Sequence, residues 1–307
     1  MNMELKKRIY NAQCIGNVEP IEYMTPYPSI RSVIEGQIIK FSDKVIFHDL
    51  KITNSMFYSF IQQTSNWLQD IGLEPQQRII IPKLRFPETE ILLFSVWNMG
   101  CVAVLSSDSI HKRDKKRFML RDLLNSGMNL FDEIKPYQNS YQVKYKPLLQ
   151  EEALLTFEKK EGIRLSHYNL LINASGIQKG IGLKSKTRYY SELQPNSISW
   201  VIFNTILPIY SGCIYDSLNP KLTIGTSGNS FNIRQDLNNI NEFSRTDIAI
   251  CPENTACLSV GRKPIHLTNY KIEQGILKVK GHSVMMGYLQ EESNISSFKE
   301  NHLSLAI

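Results

Sequence analysis

At 307 residues, with 42% hydrophobic and 21% charged side chains, the chain has room for about two average domains and a near-globular composition. That excludes an intrinsically disordered or collagen-like polymer, and no apolar run approaches the ~18–20 residues of a membrane-spanning helix. The formal charge of +6, from 35 basic and 29 acidic residues, is too mild to demand a nucleic-acid partner.

The N-terminus places Glu4, Lys6, Lys7 and Arg8 early, with no apolar core after them, so it does not read as a secretory signal. A cytoplasmic protein without a membrane span is the expectation. Residues 45–49 form a short strand-like run. Thr53 or Asn54 caps a helix that continues to Gly72, because Phe57, Phe60, Ile61, Leu68 and Ile71 recur at helical spacing. Residues 78–82 read as a buried strand. Pro87 suits a first helical turn and Gly100 an end, which predicts a helix over 87–99 and then a strand over 101–105. Strand, helix, strand, helix, strand is the order of a parallel α/β layer.

A short helix is predicted over 117–124, before Gly127. The basic run 111–121 reads as a solvated helix face. The Asn-, Tyr- and Pro-rich stretch 136–147 is the best boundary. After it come a strand over 153–157, a helix over 166–177 and an apolar helix over 198–210. Residues 258–287 alternate apolar and polar side chains with Gly275 and Gly281 at turns, the pattern of small antiparallel sheets or a barrel. The expected subdomains are therefore 1–147, 148–257 and 258–307. Five scattered cysteines with no CxxC pair predict reduced, mostly buried thiols. Trp67, Trp97 and Trp200 sit on apolar helical stripes and read as core.

Several segments, in order, resemble the adenylate-forming superfamily of acyl-CoA synthetases, luciferases and peptide-synthetase adenylation domains. "WLQDIGLEPQQRIIIPKLRFPETEILLFSVWNMGCVAVL", ending at Leu105, is similar to that family's opening half. "IRLSHYNLLINA" (163–174) resembles "VxLSHxNLxxNA". "GILKVKGHSVMMGYLQEESNISSF" (275–298) resembles "GEIxVRGxxVMxGYxxxxEATxxxF". The likeness implies layered α/β sheets with a small β-rich C-terminal part, the large N-terminal domain of acyl-CoA synthetases. Its small C-terminal domain is expected to be absent.

The chemistry is where the sequence departs from the family. Activating a carboxylate with ATP needs backbone amides curved around phosphate, cationic side chains and a magnesium ligand. The family's "TSGTTGxPKG" loop falls between Phe157 and Gly162, where this chain has only Glu158, Lys159, Lys160 and Glu161. Lys159 and Lys160 are the phosphate candidates that remain. The "YGxTE" motif falls on "ICPENTA" (250–256), so the magnesium-binding Glu corresponds to Asn254, with Glu253 starting one residue early as a substitute. "PLFH" falls on 193–197, with Ser197 in place of His. Residues 213–222 are too few for the strand and helix that wall the acyl pocket. "SFKENHLSLAI" stands where "xFxxxGWxxTGD" would supply a ribose-binding Asp.

"TIGTSGN" (223–229) resembles the Gly-rich loop beside adenine, which makes Gly225, Thr226, Ser227 and Gly228 candidate nucleotide contacts; a plain turn is the alternative. "GIGLKSKT" (180–187) lacks P-loop glycine spacing and reads as a loop. His167 is a candidate base without an evident partner, and in the resembled family its counterpart positions a helix. Ser166 reads as a helix cap. His266, His282 and His302 have no metal-ligand spacing, so no metal is assigned beyond Glu253 as a magnesium candidate.

Three readings follow. The first is a degenerate relative without ATP chemistry. The second is an active carboxylate–CoA ligase using ATP, Mg2+ and CoA. Its opening half is similar to 2-succinylbenzoate–CoA ligases of quinone biosynthesis, and its composition suits an AT-rich genome such as a plastid's, with the stroma as its place. The third is a non-catalytic subunit whose partner is a ligase subunit or a carrier protein.

Overall fold

Short apolar strands separated by tight turns build three sheets in the computed structural model, which describes residues 2–21, 23, 25–106, 110–123, 129–195 and 197–307. A six-stranded sheet runs in the order Gly287–Tyr288, Ile163–Ser166, Glu152–Thr156, Val102–Leu105, Arg78–Ile80, Leu120–Asp122. From Glu152–Thr156 to the Leu120–Asp122 edge the pairing is parallel. Parallel strands are covered on both faces, and Val102–Leu105 is buried at every position.

A nine-stranded sheet runs Lys263–Pro264, Ala256–Val260, Asp247–Cys251, Phe231–Arg234, Leu222–Gly225, Arg188–Ser191, Ile214–Tyr215, Val45–Phe47, Ile52–Thr53. It is parallel from Asp247–Cys251 through Val45–Phe47. The alternation after residue 258 forms a four-stranded antiparallel sheet, ordered Thr268–Glu273, Ile276–Gly281, His302–Ala306, Phe298–Lys299. The α/β layering and the β-rich C-terminal part are thus those expected.

Helices fill the space between sheets. Asn54–Asp70 starts where Thr53 Oγ1 accepts from Met56 N at 3.2 Å. Glu88–Asn98 is buried along its whole length, and Trp97 Nε1 donates to Ala153 O at 2.8 Å, fixing helix to strand. His167–Ile181 begins with a reciprocal cap, in which Ser166 Oγ accepts from Asn169 N and Asn169 Oδ1 accepts from Ser166 N. It packs on Glu152–Thr156 of one sheet and Ala256–Val260 of another.

Three expectations are corrected. The helix near 117–124 is instead Lys112–Arg117, followed by the strand Leu120–Asp122, because Leu120 takes a parallel register against Arg78; Leu124 and Gly127 lie outside the described residues. The single helix over 198–210 is three pieces, Ile198–Trp200, a π-helical Val201–Ile206 and Leu207–Ser211. Pro208 has no N–H to donate into the ladder, which breaks its period there. Of the strand and helix for which residues 213–222 are too few, the strand is present as Ile214–Tyr215, since two residues suffice to bridge Arg188–Ser191 and Val45–Phe47, while no helix lies between it and Leu222–Gly225. Two helices were not anticipated. Met3–Gln13 buries Leu5, Ile9 and Ala12 against the four-stranded sheet, and Ile30–Phe41 buries Ile30, Val33, Ile34 and Gln37. Among the described residues no helix is long and apolar enough to cross a membrane.

Candidate functional site

The connection after Glu152–Thr156 closes on itself. Phe157 N donates to Leu105 O at 2.9 Å, and Gly162 N donates to Lys159 O at 3.1 Å, with Gly162 in the left-handed region at φ +69°. Only glycine adopts that turn without strain. Glu158 Oε1 accepts from Ile198 N at 2.5 Å and from Thr156 Oγ1 at 3.2 Å, so this carboxylate caps the start of the segment at Ile198. Burial pushes the Glu158 carboxyl above its ordinary range against these two hydrogen bonds, and the nearby Glu253 charge pushes the same way.

Across from this turn, Pro252–Asn254 makes a single 3-10 turn after Asp247–Cys251. Thr255 and Ala256 then take φ of +57° and +82°, costly for residues with a Cβ. That bend sends adjacent side chains in different directions. Asn254 turns inward, where its Nδ2 donates to Cys257 O at 2.8 Å and its carbonyl accepts from Asn173 Nδ2 at 2.9 Å. Glu253 turns toward the connection. Its side chain is 1% exposed, and Oε1 accepts from Tyr288 Oη at 2.9 Å and pairs with the Lys159 ammonium. Burial works against the Lys159 cation, but the Glu253 carboxylate outweighs it and holds the lysine pKa above its ordinary value. The Tyr288 phenol is raised by burial first and by Glu253 second.

Lys159 and Glu253 face a cavity of about 350 Å³ that Glu158 and Asp236 also line. Lys160 is exposed and does not line it. Two residues proposed from the sequence, Lys159 and Glu253, are therefore brought together although 94 positions apart in numbering. The set is three carboxyl groups and one ammonium. Glu253 already has a cation and a phenol on one oxygen, with the Cys251 thiol 3.8 Å from the other. These residues do not fit a triphosphate with its magnesium ion: three acids repel phosphate, and the magnesium candidate is engaged by protein donors.

The Gly225, Thr226, Ser227 and Gly228 candidates form a separate turn, and none of them lines that cavity. Gly225 ends its strand, and a Cβ there would lie 2.1 Å from Glu192 Oε1. Thr226 donates to the same oxygen from its N at 2.7 Å and its Oγ1 at 3.2 Å. Glu192, which sequence reasoning missed, thus holds the amide of this turn with the protein's own carboxylate. Its position directly after the parallel strand Arg188–Ser191 was the available signal. Gly228 has φ +72°, as a turn requires.

His167 is buried, and Ile30 N lies 3.5 Å from its Nδ1. Burial pushes its pKa down to about 3. The buried imidazole is thus held neutral beside the first residue of the helix Ile30–Phe41. Ser166 and Ser197 act as caps, Ser197 Oγ accepting from Trp200 N at 3.2 Å.

Three solved structures share this fold. An anthranilate CoA ligase in complex with anthranoyl-AMP superposes with a TM-score of 0.72 at 14% identity over 92% of this chain and 74% of that one. The N-terminal subdomain of Klebsiella oxytoca NpsA, in complex with 3-hydroxyanthranilyl-AMSN, gives 0.71 at 14% identity over 91% and 95%. The chain has the fold of the large N-terminal domain of the adenylate-forming enzymes. Unliganded o-succinylbenzoate coenzyme A synthetase from Bacillus subtilis gives 0.68 at 14% over 89% and 75%. No protein-family model and no curated protein matches the sequence. The adenylate-forming fold is thus kept at an identity where side chains at the site are free to differ.

Proposed function

We propose that this chain is a non-catalytic relative of AMP-forming acid–CoA ligases, which keeps their N-terminal fold without ATP-dependent carboxylate activation. The observation that carries the reading is the ion pair between Lys159, on a short turn, and Glu253, at a cavity whose lining also includes the acids Glu158 and Asp236. Losing one electrostatic stabiliser of a transition state typically costs ~2.7–4 kcal/mol. Here the turn offers no Gly-rich amide cradle, the cation is neutralised and the carboxylate is occupied.

A second reading, an active carboxylate–CoA ligase, is favoured by one fact: a lysine and a glutamate from distant segments do converge on one cavity. Calorimetric titration of the full chain with ATP and Mg2+, together with carboxylate-dependent ATP–pyrophosphate exchange, separates the two. The first reading expects no binding up to millimolar nucleotide and no exchange. Binding at micromolar strength with exchange above the protein-free rate establishes the second.

A further inference from the structure

Two neighbouring parallel strands, Val45–Phe47 and Ile214–Tyr215, end side by side, with Phe47 paired to Tyr215. Just beyond these carboxyl ends stand His48, Asp49 and Asp216. His48 Nδ1 lies 3.6 Å from Asp216 Oδ2 and 3.8 Å from Asp49 Oδ1. One donor atom from each residue lies within 4.8 Å of the other two. Donors held by a tetrahedral ion at ~2.0–2.1 Å stand about 3.3–3.5 Å apart, and both His48–carboxylate separations lie within about 0.5 Å of that spacing.

The outer oxygens of both carboxylates are fixed by protein donors. Asp49 Oδ2 accepts from Ser217 N at 2.9 Å and Ser217 Oγ at 2.7 Å. Asp216 Oδ1 accepts from Leu218 N at 3.1 Å and Asn219 N at 2.9 Å. These bonds turn the other oxygen of each group toward the imidazole. Both inward oxygens are buried without a hydrogen bond, and the Asp216 side chain is 0% exposed. A buried carboxylate oxygen lacking a donor is unfavourable unless something cationic meets it. Arg188 Nη1 pairs with Asp216 Oδ2 at 3.0 Å from a side chain 45% exposed, so a bound ion would take the place of that guanidinium, while Asp49 Oδ1 has no hydrogen-bond partner.

We propose that His48, Asp49 and Asp216 form a binding site for a divalent transition-metal ion of the Zn2+ class. One imidazole nitrogen with two carboxylate oxygens suits such an ion better than Mg2+ or Ca2+, which favour oxygen alone. His48, 43% exposed, gives the ion a way in. The adjoining cavity of about 360 Å³, lined by His48 and Arg188, leaves space for water on the remaining positions. The ion ties together the ends of two strands distant in sequence, and the site stands apart from the Lys159–Glu253 cavity.

The test is calorimetry and thermal melting of the chelator-treated full chain with Zn2+ as the probe. One equivalent taken up at about micromolar strength, with a raised Tm, is expected. In His48→Ala and Asp216→Asn the affinity falls by more than the ~10–100-fold that loss of an outer-shell partner costs. Circular dichroism checks each fold, and if the buried Asp216→Asn does not fold, His48→Ala decides. No uptake by the unmodified chain, or uptake by His48→Ala equal to it, overturns the assignment and places any bound zinc on the cysteines or other histidines.

Discussion

Lys159 is the half-exposed end of an ion pair whose other end, Glu253, is buried at 1% exposure. Removing the ammonium leaves a carboxylate out of water with Tyr288 as its hydroxyl donor. Lys159→Met is expected to cost about 1–3 kcal/mol, the ~3–5 kcal/mol of a fully buried pair reduced because the lysine is 45% exposed. The double variant Lys159→Met with Glu253→Gln loses less than Lys159→Met alone, since no charge is then stranded. Urea melts of the two single variants and the double form the cycle that checks this. An additive result would mean that the two side chains do not interact in solution. The pair was half legible in the sequence. Lys159 stood where the resembled family holds phosphate and Glu253 one residue before its magnesium position, but their partnership depends on the bend at Thr255 and Ala256, which no local propensity announces. Glu192 and the His48, Asp49 and Asp216 group were not legible, because strand pairing brings their partners from far along the chain.

At the scale of elements, His167–Ile181 joins two sheets, and its start fixes where its side chains go. Asn169 donates through Nδ2 to His282 O at 2.9 Å and to Val284 O at 3.0 Å, anchoring the segment that leads into Gly287–Tyr288. Ser166→Ala removes half of the reciprocal cap and is expected to cost about 1 kcal/mol, within the ~0.5–2 kcal/mol range of N-cap losses. Asn169→Ala should cost more, since it removes the other half of the cap and also takes its amide donor from His282 O and from Val284 O, the latter keeping Gln13 Nε2. The order of their midpoints in urea checks the ranking, and equal midpoints would contradict it. This helix, like Asn54–Asp70 and Glu88–Asn98, was readable because caps and glycine stops are local. The Leu120–Asp122 strand and the break near Pro208 were not. The first is a strand only by its register with Arg78, and the second needs a π-helical turn that apolar periodicity does not encode.

For the whole molecule, two buried titratable groups set opposing pH dependences. Burial lowers the His167 pKa from 6.5 to about 3. Between those values the unfolded chain binds a proton the folded one refuses, so this contribution is full above pH 6.5 and is lost as pH falls toward 3, at up to ~1.4 kcal/mol per unit. Burial raises the Glu90 pKa from 4.5 to about 7, and its Oε2 has no hydrogen-bond partner. Here the folded chain holds the proton that the unfolded one releases, so this contribution is full below pH 4.5 and declines as pH rises to about 7. Where the windows overlap, from pH 4.5 to 6.5, the two slopes oppose each other and these groups leave stability nearly level. Glu90→Gln keeps the shape and removes the second titration. Its stability should therefore rise with pH across that same interval relative to the unmodified chain, with a difference in slope of roughly 1 kcal/mol per pH unit. Denaturant melts of both proteins at half-unit steps measure it, and parallel curves would show that Glu90 ionises in the folded chain as it does in water.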